Sequence, residues 1–123
     1  MSKKAESPTK TEGVTVTRPE SVTFEFTIPQ GMKANVVAQT FAACLAHPTA
    51  LFRIIKSWED ARMIGHVPPH KHVGFPPYWQ LDERHDFWLV EIPDENRAQL
   101  FCRRGEDADI GEALVRLLIR HSM

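Results

Sequence analysis

Apolar and polar residues alternate with a period of two across positions 14–28. Val14, Val16, Val22, Phe24, Phe26 and Ile28 are apolar, and Thr15, Thr17, Thr23, Glu25 and Thr27 stand between them. Successive side chains of a strand point to opposite faces, so the pattern predicts two strands with one oily and one wet face. Arg18, Pro19, Glu20 and Ser21 interrupt them with turn chemistry, which makes the pair a hairpin. After Pro29, Gln30 and Gly31 the period changes. Val37, Phe41, Cys44 and Leu45 recur at helical spacing and predict a helix over 33–46. Pro48 closes that helix and opens a second over 49–62, whose stripe is Leu51, Ile54, Ile55 and Trp58, with Gly65 at its end.

Further along, positions 86–92 and 98–103 are short apolar runs rich in aromatic and branched residues, separated by a polar turn with one proline. They predict a second hairpin, with Trp88 in the core. Ile110, Ala113, Leu114, Leu117 and Leu118 then follow the i, i+3, i+4, i+7, i+8 rule of an amphipathic helix. Asp109 caps that helix with Glu112 three residues on, and Arg116, Arg120 and His121 suit the negative end of its dipole. The order β-β-α-α-β-β-α predicts an α+β fold: an antiparallel four-stranded sheet of two hairpins, covered on one face by about three helices.

Composition narrows this picture. Residues 1–13 are almost wholly polar and predict a flexible leader, because they hold too little apolar surface to offset the entropy of ordering. Positions 14–123 then form one domain. Fifteen Lys and Arg against 16 Asp and Glu give a net charge of −1, which argues against a protein dedicated to coating nucleic acid. The leader has no apolar core of a secretion signal and no stretch is long enough to span a membrane, so the expected location is cytoplasmic. Cys44 and Cys102 lie inside apolar periodic segments and are expected to be small buried hydrophobes.

The candidate chemistry gathers in 66–85, a stretch without clear periodicity that holds His66, His70, His72 and His85, four prolines, Phe75, Tyr78 and Trp79. A segment this long is either functional or conceals an element. Rigid aromatics flanked by prolines are low-entropy anchors, so Phe75, Tyr78, Trp79, His70 and His72 are the expected contacts with another protein or with a second copy in a homodimer. A second expectation is a nucleic-acid interface built from Arg97, Arg103, Arg104, Arg116 and Arg120, whose signature is affinity that falls steeply with salt. A third is a metal site. His70 and His72 share one side of an extended segment and His66 or His85 supplies a third ligand, a donor set suited to zinc. No nucleophile-and-base pattern, phosphate-cradling glycine loop or zinc-protease motif is present. The expected function is therefore a non-enzymatic interaction module, acting as an accessory, inhibitory or regulatory factor through 66–85.

Overall fold

A computed structural model describes residues 20–122 apart from Ile54, Phe75, 83–85 and 93–94. The described chain runs β1 (Val22–Thr27), α1 (Ala34–Ala46), α2 (Pro48–Arg53), α3 (Trp58–Arg62), β2 (Lys71–His72), β3 (Tyr78–Asp82), β4 (Phe87–Ile92), β5 (Arg97–Cys102) and α4 (Ala108–Ser122). The α+β class holds, with more elements than the sequence pattern predicts. Among the described residues the sheet has five strands in the order β1-β5-β4-β3-β2, all antiparallel.

The helices and the 66–85 segment differ from the expected elements for physical reasons, and the first hairpin is described only in part. The first strand of the expected 14–28 hairpin lies outside the described residues; β1, its second strand, pairs with β5, Phe24 opposite Leu100. The second helix is broken in two because the Ser57 hydroxyl accepts the backbone N–H of Asp60 and starts a fresh helix there. Segment 66–85 conceals β2 and β3. A two-residue strand is too short to show alternation, and β3 carries a bulge between Gln80 and Asp82 that resets its period. The last helix begins one residue before Asp109, after a single 3₁₀ turn over Gly105–Asp107, so Asp109 sits in its first turn.

All four helices lie on one face of the sheet. That face presents Phe26, Trp79, Leu81, Phe87, Leu89, Ala98, Leu100 and Cys102 to a core completed by Val37, Phe41, Leu45, Trp58, Leu114, Leu117 and Leu118. Phe41 stands at the centre, edge-on to both Phe26 and Trp58 with ring centroids 6.0 Å apart. The Thr40 hydroxyl, buried in α1, donates to the Val36 carbonyl one turn back and so leaves no orphaned polar group.

Asn96 and Asp86 close the turns into β5 and β4 with φ of 52° and 56°, where their short polar side chains are tolerated. The Asn96 amide donates to the Ile28 carbonyl at 2.9 Å, and the Ile28 N–H donates back to the Asn96 carbonyl at 2.8 Å. The tip of the β4–β5 hairpin is thereby tied to the end of β1.

Candidate interaction surface

Among the described residues, the opposite face of the sheet has no helix over it. Strand register sets its rows: Thr23, Phe101, Trp88 and Gln80 form one, and Glu25, Gln99, Val90, Tyr78 and His72 the next. The edge rows on β1 are polar, as the alternation predicts. The middle is aromatic. Trp88 and Phe101 stack with centroids 5.2 Å apart and planes 6° from parallel, and the Arg103 guanidinium lies 4.6 Å from the Trp88 ring centre. His72 stacks on Tyr78 at 4.6 Å and 7°. Between the two stacks lies a hollow of about 390 Å³ lined by Gly74, Pro76, Tyr78, Trp88 and Val90. Its walls are mostly apolar carbon.

The charged groups at the ends of this face are paired. Arg97 meets Glu25 across the β1–β5 ladder and approaches Glu95 at 3.8 Å. Arg103 meets Asp86 at 3.4 Å, and its N–H donates to the Asp86 carbonyl. Two larger clefts lie elsewhere. One of about 770 Å³ sits between the sheet end and the start of α1, where Lys71 pairs with Glu91 at 3.4 Å and lies over the Trp79 ring. The other, of about 630 Å³, runs between the β1–α1 connection, α3 and the end of α4.

The expected contact residues divide between the two faces of the sheet. Tyr78 is half-buried on the open face, His72 stacks on it, and His70 is exposed just before β2. Trp79 is a correction: it is 4% exposed and belongs to the core, because alternation puts it on the opposite face from Tyr78. Trp88 is the converse correction, half-buried on the open face and not in the core. Phe75 lies outside the described residues.

The five arginines do not form one face. Arg97 and Arg103 stand at opposite ends of β5, roughly 20 Å apart at strand rise, with Arg104 exposed after it. Arg116 and Arg120 are on α4 in the helix layer, where Arg116 pairs with Glu112 at 2.6 Å. His85 lies outside the described residues. The His66 Nδ1 faces the Ile64 carbonyl at 3.1 Å. Among the described residues no three His, Cys, Asp or Glu side chains come together in a group able to hold a metal.

Cys44 and Cys102 are unpaired and fully buried, and burial pushes each thiol from an ordinary value of 9.0 up to about 12, with the charge of Asp107 adding to the effect at Cys102. A thiol held protonated in the core is not a nucleophile.

Sequence reasoning missed Trp88, Val90 and Phe101 as surface residues. A signal was present: positions 87–90 are apolar without alternation. A strand covered on one face alternates, whereas one that is apolar on both sides needs cover on both. No helix of the described residues is long and apolar enough to cross a membrane. Comparison of the chain with protein-family models, with curated proteins and with solved structures finds no match.

Proposed function

We propose that this protein is a non-enzymatic interaction module that binds another protein chain through the face of its sheet opposite the described helices. The carrying observation is the pair of preassembled aromatic stacks, Trp88 with Phe101 and Tyr78 with His72, set around an apolar hollow. Aromatic residues held rigid in advance lose little entropy on binding and supply most of the energy of protein interfaces. Segment 66–85 contributes the rim, through His72, Gly74 and Pro76, and one wall, through Tyr78. Paired charges flank the apolar centre, the arrangement expected of an interface with a polar rim. Such a module suits an accessory, inhibitory or regulatory role, in which the outcome depends on what is covered.

Photo-crosslinking tests the reading. A photoreactive side chain replaces Tyr78 or Gln99 on the open face, or Glu59 or Arg116 on the helix layer, and the protein is irradiated in its native cells. Protein adducts from the two sheet positions and not from the helix positions are expected. Adducts from the helix layer alone, or from none of the four, overturn it.

A further inference from the structure

Trp58 opens α3 and is only 2% exposed, its ring edge-on to Phe41 and 5.6 Å from the ring of His121. Its indole N–H is buried and has no acceptor among the described residues. A buried tryptophan N–H ordinarily has one, because packing against carbon does not replace the bond it makes to water. Trp58 is also part of the wall of the cleft of about 630 Å³ between the β1–α1 connection, α3 and the end of α4. We propose that this cleft binds a small organic acid, one carboxylate oxygen accepting the Trp58 N–H and the Arg62 guanidinium holding the same carboxylate.

Helical spacing brings the two groups together. Trp58 and Arg62 are four residues apart on α3 and both line the cleft, so their Cβ atoms are neighbours at about 5–6 Å. The planar fork of a guanidinium matches the planar fork of a carboxylate. Lys33 and His121 are the other basic groups of the described lining, and Glu59 is its acid. Among the described residues neither Lys33 nor Arg62 forms an ion pair, so the positive charge of the cleft is not neutralised from within.

The start of α1 acts in the same direction. Lys33 and Val36 bring its first turn to the cleft, Lys33 provides no side-chain cap, and that turn holds no acid. The positive end of the helix is thereby left to an anion. The negative end of α4 is blunted, since the Ser122 hydroxyl donates to the Ile119 carbonyl at 2.8 Å. Pro29, Met32 and Val36 supply carbon surface for the body of the acid. Ligand pockets commonly combine such surface with a few convergent polar groups. The site lies in the helix layer and stands whether or not the open face of the sheet binds a protein.

Heteronuclear NMR of the nitrogen-labelled full-length chain tests the site through its three tryptophan indole N–H signals, that of Trp58 assigned by nuclear Overhauser contacts with Phe41. Sodium benzoate is the probe, titrated to about 50 mM so that millimolar dissociation is covered. Sodium chloride and sodium phosphate at matched ionic strength run beside it. Benzoate is expected to move the Trp58 signal downfield and saturably while those of Trp79 and Trp88 stay in place. Arg62→Gln, at an exposed site, is expected to weaken benzoate binding about tenfold, the worth of one hydrogen bond to a charged group. Arg53→Gln, exposed at the end of α2 and outside the cleft, is the control and should bind as the parent does.

A Trp58 signal that benzoate leaves in place overturns the proposal, as does a shift that chloride reproduces or that Arg62→Gln leaves at full strength. A saturable shift with phosphate and none with benzoate also overturns it, and points to a phosphate ester instead.

Discussion

Cys44 and Cys102 set a limit on the conditions under which the fold survives. Each thiol is pushed up to about 12 from 9.0, so the native state holds its protons more tightly than the unfolded chain does. The stability they carry is intact below pH 9 and drains away as the pH climbs toward 12, at about 1.4 kcal/mol per unit for each thiol. Urea unfolding between pH 8 and 11 should show the midpoint falling above pH 9, and falling less steeply in Cys44→Ala. Neither thiol should react with a chromogenic disulfide at pH 8 without denaturant; rapid labelling there would disprove the burial. Single residues were also where sequence reasoning had least purchase. Trp79 and Trp88 exchange the places expected of them, because which tryptophan faces the helices depends on strand register. Register is decided by the partner strands, Leu89 opposite Trp79 and Gln80 opposite Trp88, and not by either residue's own neighbours.

Among the elements, α4 was legible from its stripe, and Leu114, Leu117 and Leu118 are all buried as the spacing predicts. Its closest approach to the sheet was not legible. Gly111 lies where a Cβ would come within 2.7 Å of the Phe24 ring and 2.8 Å of the Cys102 sulfur. In an ordinary helix Gly→Ala adds about 0.5–1 kcal/mol of stability. Here overpacking, typically about 1–3 kcal/mol, outweighs that gain. Gly111→Ala should therefore lower the unfolding free energy by about 1 kcal/mol or more in a denaturant titration, and an increase would show that Phe24 yields freely. The strand β1 was legible because its outer face is wet and its inner face oily. β2 and β3 were not, since one is two residues long and the other carries a bulge, so no periodic signal survives. The same local view hid the open face. A continuous apolar run in β4 records that both of its sides are apolar, yet not which elements cover them.

For the molecule as a whole, net charge and its pairing dictate how binding responds to salt. With −1 overall and the arginines of the open face already matched by Glu25 and Asp86, association through that face should change less than twofold between 50 and 200 mM salt. A drop of tenfold or more would point to release of counterions from a phosphate backbone and revive the arginine-based interface. The strand order has a different consequence. β2, β3, β4 and β5 form a meander of neighbours in sequence, whereas β1 must bridge to the last strand, Val22 opposite Cys102. During synthesis, β1 and the first three helices emerge long before the surface they pack on exists. Closing so long a loop is slow and comes late, so the nascent chain must keep Phe24 and Phe26 unpaired until β5 leaves the ribosome. The vulnerable moment for this protein is thus its birth, when a strand with one oily face waits for a partner about 80 residues away in the chain.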